Sequence, residues 1–196
     1  MTRRILAVFL VLVLIAIALG IYAWQLQKKV AQDAERAARE QSEMAPPVNG
    51  AQTPVTLYIA SDEDGSLHKT QVTVSVPREP SERARATLRA LLGRYLQSPS
   101  PHPIAPGADV REVYLLNDGS AVVDTNGAFA TSHPSGVLAE ELTIASIVVT
   151  LNANDTSIQR VKILVDGKER ETLAGHADLR RFYLASNLSQ VVKDLQ

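Results

Sequence analysis

The sequence predicts an α+β domain behind a single N-terminal transmembrane helix, and three observations carry this prediction. An apolar run without charges, Ile5–Trp24, stands at the N-terminus. Residues Thr70–Val76 alternate valine with polar side chains, which is the period of a half-buried strand. Two segments with helical apolar spacing each lie between hairpin signals. The predicted order is β-β-α-β-β-α-β-β, with the helices packed on a mixed or antiparallel sheet rather than on a doubly wound parallel one.

The run Ile5–Trp24 has the length of a membrane-spanning helix. Its 20 residues rise ~1.5 Å each and cover the ~30 Å of bilayer hydrocarbon. Tyr22 and Trp24 close it where aromatic rings prefer the headgroup layer. The alternative is a cleaved signal peptide with a site at Ala16–Ala18, although such peptides have a shorter apolar core, roughly 7–15 residues. We therefore expect an uncleaved anchor over residues 1–24, and the lack of cysteine excludes a lipoprotein.

Charges around this anchor bear on its orientation. Arg3 and Arg4 precede it and Lys28 and Lys29 follow it, so the positive charges are nearly balanced. The short N-terminal tail and the long C-terminal part favour a single-pass protein of the cell membrane with its C-terminal domain outside the cytoplasm. The formal net charge of -1 offers no general attraction to nucleic acid, and no nucleic-acid partner is expected.

Composition divides the rest of the chain into a spacer and one domain. Residues 25–44 are rich in alanine and mixed charge, which predicts a solvated helical stalk. Two prolines and an Asn-Gly pair in Ala45–Gly50 end that helix. The stalk and linker thus occupy 25–54, and the folded domain occupies 55–196. A domain of this size buries enough surface to fold without disulfides or metal.

The first half of the domain predicts two strands and a helix. The strands are Val55–Ala60 and Thr70–Val76, and the polar loop Ser61–Lys69 joins them. A helix then begins at Pro80 or Ser81. Its apolar face is predicted to be buried and comprises Ala84, Leu88, Leu91, Leu92, Tyr95 and Leu96. The proline-rich segment Gln97–Asp109 follows as a long loop.

The second half predicts two hairpins around a helix. An Asp-Gly turn joins Val110–Leu116 to Ala121–Asp124. Ser135 is predicted to cap a buried helix that runs to about Leu151. A second Asp-Gly turn is predicted to join Ile158–Val165 to Lys168–Thr172.

The last residues predict a short amphipathic helix capped by Asn187. Its apolar positions are Leu188, Val191, Val192 and Leu195. This face either packs on its own domain or is offered to a partner.

The ordered set of segments resembles the GerMN family of sporulation and spore-germination domains. The resemblance rests on Val55–Tyr58, Pro106–Val110, the Ala121–Asp124 strand with Phe129, and the closing segment Val161–Gly167, together with a central helix over residues 141–151. It covers most of residues 55–175. It implies a small α/β domain, secreted or membrane-anchored and not known as an enzyme. It also implies a part in extracytoplasmic assembly, similar to the ring-building modules of envelope machines.

No catalytic residue, cofactor or metal site is predicted. The four histidines, His68, His102, His133 and His176, are scattered in loops and are expected at the surface. Asp124 with Glu140 or Glu141 is the best candidate for an acid/base pair in a hydrolase. The simpler interpretation is that Asp124 caps the turn after its strand and the glutamates complement a helix dipole.

The leading hypothesis is therefore a non-enzymatic, membrane-anchored module that binds envelope proteins or a second copy of itself. The candidate surfaces are exposed strand edges, the C-terminal helix and a cationic face on the first helix. It comprises Arg78, Arg83, Arg85, Arg89 and Arg94. The alternative is a peptidoglycan-binding or other wall-glycan module. Glycan-binding sites usually present exposed aromatic rings that stack on sugar faces. The alternative is weakened because the tyrosines of the domain are predicted mostly in the core, namely Tyr58, Tyr95, Tyr114 and Tyr183.

Overall fold

A computed structural model describes residues 51–188. The predicted anchor, the stalk and most of the linker lie outside these residues, as do Val191, Val192 and Leu195 of the predicted C-terminal helix. The described part contains a two-stranded and a four-stranded sheet with helices packed against them. This confirms the predicted α+β class and the mixed sheet.

The first two strands form an antiparallel hairpin that is longer than predicted. Strand β1 is Ala51–Ser61 and β2 is Ser66–Val76, with Val55 opposite Val72. Most of the predicted loop is therefore strand. The extension forms because Leu67 buries its side chain opposite the buried Ala60. This burial of apolar surface stabilises the extra paired residues of the hairpin.

Helix α1, Pro80–Leu96, begins where the sequence predicts. The Glu79 carboxylate caps it by accepting the backbone N–H groups of Ser81 and Glu82, and proline occupies the first turn, where no amide hydrogen is needed. The predicted apolar face is buried except at Leu96, which ends the helix with 42% of its surface exposed. That residue was wrongly assigned to the core because the last turn extends past the packed surface.

The four-stranded sheet has the order β3-β4-β5-β6. Strands β3, Val110–Leu115, and β4, Ser120–Thr125, form the first predicted hairpin, with Gly119 at φ 77° in its turn. The chain then crosses to β5, Arg160–Val165, which runs parallel to β4. Two helices make this crossover: the short α2, Gly127–Thr131, and the long α3, Val137–Asn154.

The second predicted hairpin is wrong. The turn at Asp166-Gly167 forms, with both residues at positive φ, but beyond it only one bridge joins Lys168 to Val165. The free side of β5 is taken instead by β6, Tyr183–Leu184. The residues after the turn, 168–171, are all exposed. They have no apolar alternation to hold them on the core, whereas Tyr183 buries its ring there.

Helix α3 is the central element of the core. It is long and apolar enough to cross a membrane, but more than half of it is buried inside the domain, as in the core helix of a soluble fold. Its N-cap is Gly136 rather than the predicted Ser135. The Ser135 hydroxyl donates instead to the carbonyl of Ala174, 3.1 Å away, and so fastens a later loop.

Candidate interaction surface

The outer edge of β1 is covered by side chains of the helices. The backbone N–H groups of Thr56, Tyr58 and Ala60 point away from β2, and each has a side-chain acceptor at 2.9 Å. The acceptors are the Asn154 amide oxygen, the Thr150 hydroxyl and the Tyr95 hydroxyl. Because these groups are already paired, β1 cannot take another strand without losing bonds to its own helices.

The carbonyls at the start of β3 are covered in a similar way. Arg85 donates to the Arg111 carbonyl at 3.1 Å and also pairs with Glu82 and Glu112. Arg89 donates to the Val110 carbonyl at 3.1 Å. It also forms a two-pronged ion pair with Asp109, at 3.0 and 2.8 Å. These two arginines of the predicted cationic face thus fasten α1 to the sheet.

The other three predicted arginines, Arg78, Arg83 and Arg94, are exposed. They lie before, in the first turn of, and near the end of α1. Of the five arginines in the predicted cationic face, these three are the exposed ones.

The outer edge of β2 is open. Neighbouring residues of a strand direct their backbone groups to opposite sides. Since Thr56, Tyr58 and Ala60 point away from β2, the register directs Lys69, Gln71 and Thr73 away from β1. Their side chains are exposed, and within residues 51–188 their N–H and C=O groups have no hydrogen-bond partner on this side. These three residues are called the β2 edge below.

Glu140, one of the candidate acids, is a buried structural carboxylate. It is fully buried and accepts the backbone N–H groups of Ala174, His176 and Ala177 at 2.8–3.0 Å, and the His176 ring nitrogen at 2.9 Å. Burial raises its pKa, but these hydrogen bonds outweigh burial and bring the pKa to about 2. An acid held in this state is ionised throughout the neutral range and is poorly suited to donate a proton.

Asp124 also supports a turn. Its carboxylate accepts the N–H of Gly167 at 2.7 Å and lies 3.6 Å from Arg111. This agrees in kind with the capping role expected from the sequence, although the turn is the one after β5. Asp124 and Glu140 have different hydrogen-bond partners, and Glu141 is exposed. Each of these two buried carboxylates thus holds the backbone of a turn or a loop.

Two histidines expected at the surface are buried. His102 is 1% exposed and His133 is 6% exposed. Their Nε2 atoms lie 2.6 and 2.8 Å from the Thr143 hydroxyl, and His102 Nδ1 lies 2.5 Å from Asp62. An Asp-His-Thr chain resembles a nucleophile triad. However, the Thr143 hydroxyl is fully buried and surrounded by two imidazoles and the Ala139 carbonyl, so a substrate carbonyl cannot reach it.

Two aromatic side chains are exposed, and one of them was expected in the core. Tyr114, predicted in the core, is 52% exposed on β3, and Phe182 is 38% exposed. Arg160 and Lys162 lie over the Phe182 ring, at 5.0 and 5.8 Å from its centre. Tyr95 and Tyr183 are buried as predicted, and Tyr58 is half-buried. The exposure of Tyr114 could have been predicted from the period-two pattern of β3, in which Tyr114 is next to the buried Val113.

Leu188 is the one predicted residue of the C-terminal apolar face that lies within residues 51–188. It lines an apolar groove with Leu138, Leu142 and Tyr183. Leu138 is 54% exposed beside it. The groove thus adjoins the point at which the described residues end.

Comparison with known proteins points to one family. The family model Germane, sporulation and spore germination, matches residues 56–171. This range begins within β1, ends beyond β5 and includes α1, α2 and α3. No curated protein matches the chain in sequence.

Three solved structures resemble the fold. The tandem GerMN domains of the sporulation protein GerM from Bacillus subtilis align at TM-score 0.51 and 19% identity, over 66% of this chain and 44% of that one. The chain thus spans less than half of the tandem structure. The first GerMN domain of the same protein aligns at TM-score 0.42 and 20% identity, over 65% and 92% of the two chains. A putative lipoprotein from Clostridium perfringens aligns at TM-score 0.48 and 19% identity, over 74% and 94%.

Proposed function

Because the chain belongs to the Germane family of sporulation and spore germination proteins, we propose that it is a membrane-anchored, non-enzymatic module that binds a cell-envelope protein along the β2 edge. The family is not a known enzyme family. The observation that carries the proposal is the contrast between strand edges. β1 and the start of β3 are covered by side chains of the domain itself, whereas the β2 edge is exposed.

An extended segment can add to such an edge as a further strand. Its backbone pairs with the free N–H and C=O groups, while side chains on alternate positions supply specificity. Lys69 carries a charge on this edge, which disfavours pairing with another basic strand. A neutral or acidic strand from an envelope protein, or from a second copy of this chain, fits this pattern.

The test is photo-crosslinking in membranes with the full chain. A photoreactive residue replaces Thr73 on the β2 edge, and the control replaces Tyr114, which is similarly exposed on β3. We expect a discrete protein adduct from position 73 and none from position 114. Equal adducts from both positions, or none at position 73, would contradict the proposal.

A second substitution tests the backbone itself. Gln71→Pro removes an N–H that points away from β1, so the β1–β2 ladder is retained. Gln71→Thr keeps this N–H and is the matched control. The adduct should disappear in Gln71→Pro and persist in Gln71→Thr. Persistence in both variants would mean that the contact does not use backbone pairing.

Membrane anchoring through Ile5–Trp24 is the second part of the proposal, with residues 55–196 outside the cytoplasm. We expect the full chain to remain in membranes after an alkaline carbonate wash, with an intact mass that includes residues 1–24. Added protease should digest the domain in spheroplasts without lysis. A soluble chain that lacks the first residues would instead indicate a cleaved signal peptide.

A wall-glycan module remains the second candidate, and the exposed Tyr114 favours it, since sugar faces stack on aromatic rings. Co-sedimentation of the full chain in detergent with peptidoglycan sacculi tests this candidate. Pelleting that resists salt and is lost in Tyr114→Ala would favour it over strand addition. Pelleting that salt abolishes would indicate attraction through the exposed Arg78, Arg83 and Arg94.

A further inference from the structure

An apolar groove follows one face of α3. Some of its lining residues stand at i, i+3, i+4 and i+7 along this helix, namely Leu138, Glu141, Leu142 and Ala145. Gly65 of the β1–β2 turn also lines the groove beside Leu138, as do Arg181 and, in β6, Tyr183. Leu142 is buried, whereas Leu138 keeps 54% of its surface exposed. This set of residues is called the α3 groove below.

The described part of the chain ends in the α3 groove. Residues 185–188, which follow β6, are helical. Ala185 is buried, and Leu188 is half-buried, packs against the core and lines the groove. Ser186 and Asn187, between them, are exposed. The helix thus begins before Asn187, the predicted cap, and one side of it already faces the domain.

The sequence after Leu188 continues the apolar side of this helix. At about 100° per residue, the apolar residues of 185–196 would fall within an arc of about 120° centred on Leu188. They are Ala185, Leu188, Val191, Val192 and Leu195. The polar residues of the same stretch, including the charged Lys193 and Asp194, would all fall outside this arc. An apolar stripe of this width is typical of a helix that packs on a surface.

The α3 groove and this apolar arc match in spacing and in length. The residues of the arc from Leu188 to Leu195 stand at i, i+3, i+4 and i+7, as the α3 residues of the groove do. As a helix, residues 189–196 would rise about 12 Å, and Leu138 lies about 10 Å along α3 from Ala145. The segment is therefore long enough to reach from Leu188 to Leu138.

The charges at the groove agree with this match. Glu141 on α3 and Arg181 before β6 line the groove with opposite charges. The segment offers the opposite charge to each, because Lys193 and Asp194 stand on the two flanks of its apolar arc. We propose that residues 189–196 continue the helix and bind in the α3 groove, so that the C-terminal segment covers Leu138 and fastens α3 to the β1–β2 turn.

The position of Leu188 favours the chain's own segment over a separate partner. Because Leu188 already lies in the groove, binding of the residues that follow it is intramolecular and loses little translational freedom. A separate partner would have to bind beside Leu188 or displace it. The segment lies beyond residue 171, where the family match ends, and its binding does not use the β2 edge. It can therefore be tested apart from the proposed function.

Thiol labelling tests whether the segment covers the groove. The chain has no cysteine, so Leu138→Cys reports on the groove alone. Val137→Cys is the matched control, because Val137 is similarly exposed, at 56%, but is not one of the groove residues. Each variant is labelled with a maleimide in the full chain, monomeric in detergent, and again after deletion of residues 189–196.

The rates of labelling decide the result. A segment that is bound about nine-tenths of the time slows labelling about tenfold. We therefore expect the deletion to speed labelling of Leu138→Cys by about tenfold or more and to leave Val137→Cys unchanged. Equal rates for Leu138→Cys with and without the segment would overturn the proposal, whether both are fast because the groove is open or both are slow because another molecule fills it.

Two charge substitutions, each combined with Leu138→Cys, test which face of the segment binds. Val192→Asp places a carboxylate inside the apolar arc, where burial is costly, and Gln190→Asp places the same charge on the opposite side. Labelling should be as fast in Val192→Asp as after the deletion, and as slow in Gln190→Asp as with the unchanged segment. Equal rates in these two variants would show that the apolar arc does not bind the groove. If the deletion prevents folding, Val137→Cys also reacts faster, and the two aspartate variants decide.

Discussion

At the scale of single residues, two buried carboxylates hold a loop and a turn of the backbone. Glu140 gathers the backbone of residues 174–177 around one charge, and Asp124 holds the turn after β5. Glu140 has several donors around its charge, and Asp124 has the Gly167 N–H and the nearby Arg111. These partners offset the cost of removing each anion from water.

Replacing Glu140 should therefore reduce stability. Glu140→Gln leaves an amide hydrogen facing the backbone N–H groups of the 174–177 loop and should lower the free energy of unfolding by roughly 1–3 kcal/mol. Denaturant titration at pH 7 measures this. Glu141→Gln is the matched control, because Glu141 is exposed. Equal stability of the two variants would contradict the assigned role.

The same residue predicts an acid dependence. The folded pKa of Glu140 is about 2, below the ordinary value near 4.3, so its stabilisation is present above about pH 4.3 and is lost as pH falls toward 2. The full effect is roughly 3 kcal/mol. Unfolding followed between pH 6 and 2 should show a shallower loss of stability in Glu140→Gln than in wild type.

Substitutions of the α1 arginines should fall into two groups by their effect on the stability of the domain. Arg89→Ala removes the paired contact to Asp109 and a bond to the Val110 carbonyl and should cost roughly 1–3 kcal/mol. Arg94→Ala, at an exposed site, should change stability by less than about 0.5 kcal/mol. Thermal unfolding of the two variants compares them, and a similar loss in both would mean that Arg89 does not fasten α1.

At the scale of elements, side chains of α3 and α1 accept the outward N–H groups of β1, which a further strand would otherwise accept. Thr150→Val tests this, because it removes the acceptor of the Tyr58 N–H at a fully buried position. We expect a loss of roughly 1–3 kcal/mol. Thr156→Val, an exposed site just after the same helix, is the control. Faster amide exchange at Tyr58 in the first variant would locate the effect.

Local patterns predicted most of the elements but not all of their partners. The period of Thr70–Val76, the apolar spacing of α1 and the first Asp-Gly turn predict elements that form, whereas the second Asp-Gly turn forms without the strand predicted after it. The partner of β5 could not be predicted, since Tyr183 reaches it from a segment with no strand pattern. The burial of His102 and His133 depends on Thr143, which is 41 residues from His102 along the chain, a separation that spacing alone does not reveal.

At the scale of the whole molecule, the domain covers the edge of β1 and the start of β3 and exposes the β2 edge. An uncovered strand edge invites pairing with other chains. On a membrane-anchored domain this edge would be presented to neighbouring envelope proteins. Strand addition along β2 would pair the free backbone groups of this edge.

Amide hydrogen exchange at Lys69, Gln71 and Thr73 tests this claim most directly. The full chain is compared free in detergent and in the crosslinked complex recovered from membranes through position 73. Strand addition places a hydrogen bond on each outward N–H, so exchange at Lys69 and Gln71 should slow at least tenfold in the complex, while Tyr114 on β3 stays unchanged. Unchanged exchange at Lys69 and Gln71 in the complex would show that the partner does not pair with β2.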